Sequence, residues 1–463
     1  MSKLLNDKLE TYLRSQRLYF RNGNTSSIEF RIEVLKELYN AISSRKDTVV
    51  KALEADFHKP EFETLATEFY ITLGELKHTI KHLKSWSTSI KVRPSVLNFP
   101  SSARIYKEPF GQVLIIAPWN YPFYLSMVPL IGAIAAGNTV ILKPSEYAPN
   151  SAAILEEILN EVFTVDHARV INGDADVAKA LLDLSWSYIF FTGSPATGKL
   201  VYQAAARNLT PVTLELGGKN PCVIHHTANI KLSAKRIVWG KFINAGQTCV
   251  APDFLVLHRD IKASFIDAVK EEITRVYGTD IKNSPDLARI INQKHFKRLQ
   301  RYIEESQVLF GGEYDEQELY ISPTLLEYPP LQSTVMQEEI FGPLLPVLTY
   351  NDETSLGNIL RNYENPLAFY VFSRDQEFSK KLIQKYSFGG GAINDVIIHL
   401  ANKRLPFGGV GKSGLGAYHG KHTFDTFTHK KPVVTRGNWL DIPLRYAPYK
   451  NGTKWLERLK NYF

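Results

Sequence analysis

Only two cysteines, Cys222 and Cys249, and three methionines stand among 463 residues. So few thiols cannot build a disulfide framework; they fit a reducing compartment, and a cytoplasmic location is expected. Long apolar runs are missing too. The longest, from Met127 to Gly137, is broken by Pro129 and Gly132, well short of the ~20 residues a membrane-spanning helix needs. The N-terminal stretch MSKLLNDKLETYLRSQRLYF mixes charge with apolar residues at helical spacing and is expected to be a first helix, not a signal peptide. Net positive charge is scarce outside one end: of the net +8, residues 430–463 carry +6 and the other 429 residues only +2. This argues against a nucleic-acid-binding core with a basic face built into the fold, and nucleic acid is not an expected partner.

Hydrophobic side chains make up 44% of a chain too long for one core, so two large lobes are expected. Before about residue 100 the spacing of Ile32, Leu35, Leu38 and Ile42 predicts helices. After Gly111 the texture alternates. Strands are expected at Val113–Ala117, Thr139–Leu142, Ala168–Asn172 and Tyr188–Thr192, and helices at Val128–Ala136, Ser151–Val162, Val177–Leu182 and from Thr197. A second such series has a helix at about Ser233–Ala245, the strand Phe254–Leu257, a helix at about Lys262–Tyr277 and the strand Ala368–Phe372. The pattern predicts an α/β chain with parallel sheets covered on both faces.

Gly193-Ser-Pro-Ala-Thr-Gly198-Lys199 follows a predicted strand and opens a helix, where backbone N–H groups and the helix dipole favour an anion such as a dinucleotide pyrophosphate. It nearly satisfies a triphosphate loop, but Leu200 stands where a magnesium-binding hydroxyl is required; a plain strand–helix turn is the other reading. Lys143 and Glu146 follow a strand and could grip an adenine ribose or form a solvated charge pair. A carboxylate there favours NAD, with NADP the alternative.

Cys249, in Asn244-Ala-Gly-Gln-Thr-Cys249-Val-Ala-Pro252, is expected on an irregular segment after a helix, where a thiol can be an accessible nucleophile; a buried structural thiol is the alternative. Cys222 begins an apolar strand and reads as a buried, inert thiol. Glu215, at a strand end before Gly217-Gly218, suits a desolvated general base; a surface pair with Lys219 is the alternative. Asn120, in Pro118-Trp-Asn-Tyr-Pro122, can donate to an oxyanion or serve its own turn. Cys222-x-x-His225-His226 lacks a second ligand pair, so no metal is expected.

Together these motifs resemble the aldehyde dehydrogenase superfamily from about Arg31 to Arg436, and most nearly its class 3 or fatty-aldehyde group. The stretches that carry the likeness are Leu209–Lys219, Trp239–Phe242, Gly246–Asp253, Met336–Pro343 and Leu405–Gly411. The resemblance implies a Rossmann-like NAD-binding domain (1–84 and 106–217), an α/β catalytic domain (218–415), a small β oligomerisation or bridging element (85–105 and 416–436) and a basic aromatic tail (437–463). It implies Cys249 as nucleophile, Glu215 as base and Asn120 as oxyanion donor. Lys143, Glu146, Gly193, Ser194, Gly198, Leu216, Glu339 and Phe341 are expected around the cofactor, and Tyr70, Tyr121, Thr248 and His419 around the substrate.

The activity so implied is NAD(P)-dependent oxidation of medium- or long-chain aliphatic or aromatic aldehydes to acids by a homodimer. Glu215 argues against a coenzyme A-acylating relative, and the intact trio of Cys249, Glu215 and Asn120 against a catalytically silent protein on the same fold. Trp455, Leu456, Leu459 and Phe463 share one side of a short basic C-terminal helix, expected to pack on the dimer or to make weak contact with a membrane surface.

Overall fold

Strands whose every residue is buried require cover on both faces, and two parallel sheets supply the frame for the whole chain. The computed structural model describes residues 3–95, 98–441, 443–449 and 452–460. The first sheet contains β1 (Gln112–Ile116), β2 (Thr139–Lys143), β3 (Ala168–Val170), β4 (Tyr188–Thr192) and β5 (Val212–Glu215). They run parallel in the order β5-β4-β1-β2-β3, with Gly414–Leu415 antiparallel against β5. The strand order reverses between β1 and β4, which opens a crevice at their carboxyl ends.

The second sheet repeats that plan. It contains β6 (Pro221–Ile224), β7 (Phe254–His258), β8 (Thr324–Glu327), β9 (Leu344–Tyr350), β10 (Ala368–Phe372) and β11 (Gly390–Ile393). The parallel order is β8-β9-β7-β6-β10-β11, and Val308–Phe310 pairs antiparallel with β8. A third, antiparallel sheet joins Ile90–Val92, Ser101–Pro109 and Thr428–Arg436. No helix among the described residues is long and apolar enough to cross a membrane.

Three helices position the chemistry: α1 (Tyr124–Ala136), α2 (Pro195–Ala206) and α3 (Ile230–Phe242). Every residue of α1 is buried, so it is apolar all round rather than amphipathic. It begins at Tyr124, four residues before the sequence pattern suggests. Helix α3 stops at Phe242 instead of running to Ala245, because Asn244 and Ala245 take left-handed φ of 54° and 52°. Apolar spacing continues through Ile243 and Ala245, both buried, and so hides the break.

The N-terminal helices lock onto this frame through ionic and polar contacts. Lys59 Nζ and Glu68 Oε1 lie 2.5 Å apart with neither side chain exposed. Glu68 Oε2 accepts the backbone N–H groups of Phe123 and Tyr124 at 2.9 and 3.2 Å, where α1 starts. A buried carboxylate that loses its cation keeps its desolvation penalty. Lys59→Met should therefore lower the unfolding free energy by about 3–5 kcal/mol, read as a fall in the urea midpoint; adding Glu68→Gln should recover part of the loss.

Candidate active site

The break after α3 turns the chain towards the first sheet, and side-chain amides hold it there. Gln247 Nε2 donates to the carbonyls of Asn244 and Arg289 at 3.1 and 3.0 Å, and its Oε1 accepts Ile291 N–H at 3.0 Å. Asn244 Nδ2 donates to Asn120 O at 2.9 Å and Gln247 O at 3.2 Å, while Asn120 Nδ2 donates to Gln247 O at 3.0 Å. Asn220 Nδ2 reaches Cys249 O at 2.7 Å and Ala251 O at 3.1 Å. Gly246, at φ 75°, passes so close to Gly342 that a Cβ would stand 2.3 Å from its carbonyl oxygen. Asn220, Asn244 and Gln247 escaped the sequence reading. Their one signal is that polar amides flank the cysteine motif.

Cys249, half-buried, meets Asn120 and Glu215 on the wall of one crevice of about 1040 Å³. Asn120 follows the carboxyl end of β1, and Glu215 is the last residue of β5. Neither Glu215 oxygen has a hydrogen-bond partner, and burial pushes its carboxyl well above the usual range. The alternative pairing with Lys219 does not occur: Lys219 Nζ lies 2.5 Å from Asp253 Oδ2 and donates to Val335 O at 2.6 Å. Burial, with the charges of Glu339 and Glu215 behind it, pushes the Cys249 thiol up to about 12. Burial also raises Glu339 to about 8, helped by Asp253.

Gly193, Ser194, Leu216, Glu339 and Phe341 line the same crevice. Ser194 caps α2, its Oγ accepting Thr197 N–H at 3.3 Å, so the first turn of that helix faces the space. Glu339 lies against Gly217, where a Cβ would stand 1.9 Å from its Oε2. The buried Thr192 hydroxyl and Glu339 Oε1 have no partner, so the crevice offers a helix N-terminus and unpaired polar groups that fit a dinucleotide. Gly198 is off the lining. A Cβ there would stand 2.4 Å from Leu216 Cδ2, so this glycine serves the close approach of α2 to Leu216. Lys143 and Glu146 pair at 2.7 Å beyond the lining, at the end of β2.

On its other side Cys249 borders a mostly apolar cavity of about 630 Å³. Tyr121, Tyr124, Thr248, Trp239, Ile397 and His419 are on its wall. Tyr121 OH and Thr248 Oγ1 are 2.7 Å apart, and Tyr124 OH and His419 Nε2 are 3.1 Å apart. Burial lowers His419 to about 3, so its imidazole is neutral. Tyr70, expected here, is instead 55% exposed and outside the lining, which Ile71 joins. The π-helical turn Leu65–Phe69 explains the correction: its wider hydrogen-bonding step rotates the residues after it relative to an ideal helix. The cavity and the crevice share only Leu125, Cys249, Phe407 and Tyr418. Among the described residues no group of three or more His, Cys, Asp or Glu side chains could hold a metal ion.

The chain is 46% identical to the 4,4'-diaponeurosporen-aldehyde dehydrogenase of Staphylococcus aureus over 451 residues, 97% of this chain and 98% of that one. It is 43% identical to Aldehyde dehydrogenase family 3 member A2 of Pongo abelii over 442 residues, 95% and 91% of the two. The substrate-bound Staphylococcus aureus AldH superposes with a TM-score of 0.96 at 46% identity, covering 98% of this chain and 99% of that one. A Mycobacterium tuberculosis aldehyde dehydrogenase complexed with NAD+ does so with 0.84 at 26% identity, covering 92% and 90%. These likenesses agree with the class 3 resemblance. Residues 6–433 match the Aldehyde dehydrogenase family as a whole, and the chain belongs to that family and is an aldehyde dehydrogenase.

Proposed function

We propose that this enzyme uses NAD to oxidise medium- or long-chain aliphatic or aromatic aldehydes to carboxylic acids, through a thioester on Cys249. The observation that carries the reading is the place of Cys249 on the wall between the dinucleotide-sized crevice and the apolar cavity. The cavity's lining favours an apolar aldehyde tail, and one relative, 46% identical, is a diaponeurosporen-aldehyde dehydrogenase. Glu146, hydrogen-bonded to Lys143, favours a free ribose 2′-hydroxyl over a 2′-phosphate. Gly193, Ser194, Glu339 and Phe341 would hold the cofactor. The nicotinamide supplies the hydride acceptor when bound.

Cys249 gives its thiol proton to solvent water, and the thiolate Sγ attacks the aldehyde carbon, so that the carbonyl π electrons move onto oxygen as an oxyanion. Asn120 uses one amide hydrogen on Gln247 O, and its second is free for that oxyanion beside the Cys249 N–H. Loss of hydride from the carbon leaves the thioester. Glu215, dry and unpartnered, then takes a proton from the water that hydrolyses it. We infer also a homodimer joined through the three-stranded sheet, whose Ile90, Val92, Val433 and Val434 are exposed in the single chain. Trp455 and Leu456 of the C-terminal helix Gly452–Leu459 are exposed as well and would pack on the partner; Phe463 lies outside the described residues.

Glu215→Gln should keep a pre-steady-state burst of NADH and lose steady turnover to free acid; retention of full turnover without coenzyme A would remove Glu215 as the base. Because burial holds the Glu215 carboxyl protonated above the ordinary carboxylate range, the deacylation rate should fall as pH drops through that raised value. The acid limb of kcat should accordingly lie above the usual pH of ~4.3 for a glutamate. Across a series of linear aldehydes kcat/KM should rise about fourfold per methylene, as expected for about 0.8 kcal/mol per buried CH2, until the cavity is filled. A flat series would overturn the long-chain assignment.

A further inference from the structure

One N-terminal stretch touches both halves of the reaction centre. Glu68 holds the chain leaving the Asn120 turn by accepting the N–H groups of Phe123 and Tyr124. Five residues earlier, on the short helix Glu61–Thr64, Glu63 turns towards the other half. Its Oε2 accepts the backbone N–H of Asn244 at 2.8 Å. Asn244 is the first left-handed residue after α3, and its N–H has left the helical ladder. Its side chain bonds to Asn120 O and Gln247 O. A single carboxylate thus anchors the residue from which the oxyanion donor and the cysteine turn both hang.

We propose that Glu63 is a positioning residue: by fixing Asn244 it sets the distance between Cys249 Sγ and the Asn120 amide. Among the described residues no other side chain accepts the Asn244 N–H; the remaining bonds of Asn244 all run to Asn120 and Gln247 within the same turn, so Glu63 is its tie to the N-terminal stretch. Glu63 also lines the aldehyde cavity, so the bond is made on the face where substrate arrives. The groups that act on it are Lys59, committed to Glu68, and Asp286 on the same cavity wall. The inference rests on the proposed reaction only for its kinetic readout, because misplacement of the nucleophile also alters its reactivity towards a simple alkylating agent.

The test compares Glu63→Ala and Glu63→Gln in the full chain. Glutamine keeps an oxygen that can accept the Asn244 N–H; alanine does not. Glu63→Ala should lower the NADH burst rate at saturating aldehyde by about 10- to 100-fold, the range for an ångström-scale misplacement, with KM changed less than threefold and the melting temperature within a few degrees of wild type. Glu63→Gln should stay within about threefold of wild type. The rate of Cys249 alkylation by iodoacetamide in the cofactor-free protein should change in Glu63→Ala and be restored in Glu63→Gln, with Cys249→Ala as the blank. An unchanged burst and alkylation rate in Glu63→Ala, or equal losses in both variants, would overturn the proposal. A wild-type enzyme without a burst would instead sink the functional reading, and alkylation alone would then decide the role of Glu63.

Discussion

A left-handed break of three residues, Asn244-Ala245-Gly246, is the constraint on which the reaction centre depends. It ends α3 early and carries Cys249 from the amino end of β7 across to the carboxyl ends of β1 and β5. Left-handed backbone costs about 1–2 kcal/mol at a residue with a Cβ, and Ala245 has no polar side chain to offset it. The side-chain amides of Asn120, Asn244 and Gln247 stabilise the turn instead. Asn120, the proposed oxyanion donor, is therefore part of the scaffold that places Cys249, the proposed nucleophile. Neither can move alone.

The electrostatics of the centre follow from dryness more than from paired charge. Cys249, Glu215 and Glu339 are all pushed towards their protonated forms, in each case with burial as the largest cause. The buried ion pair of Lys219 with Asp253 acts on Glu339 with opposing charges, Asp253 raising its carboxyl and Lys219 lowering it. In so dry a site a fixed amide donor is worth more than it would be in water. His419, neutral in the cavity wall, adds no charge that would draw water in.

Much of this was legible in the residues. Uninterrupted apolar strands such as Val113–Ile116 announce a sheet buried on both faces, whereas a scarce cysteine reads as readily as a buried structural thiol, and only the family resemblance points Cys249 to thiol chemistry. Other features resisted for identifiable reasons. The break at Asn244 is masked because Ile243 and Ala245 continue the helical spacing as buried residues. Tyr70 was misplaced because a π-helical turn leaves no periodic trace in a stretch as short as Leu65–Phe69. Gly198 was taken for a ligand-facing glycine, yet its missing Cβ makes room for Leu216; only the packing distinguishes the two. Glu63, at the edge of a four-residue helix, looks in sequence like any solvated acid.

The sharing of only four residues between crevice and cavity has an evolutionary reading. Cys249 works as a party wall with separate premises on either side. Substitutions at Trp239, Ile397 or Thr248 can reshape the cavity proposed for the organic tail while the crevice lined by Gly193, Ser194 and Glu339 keeps its form. On the proposed reading, a lineage built on this plan can change its diet without changing its currency of electrons.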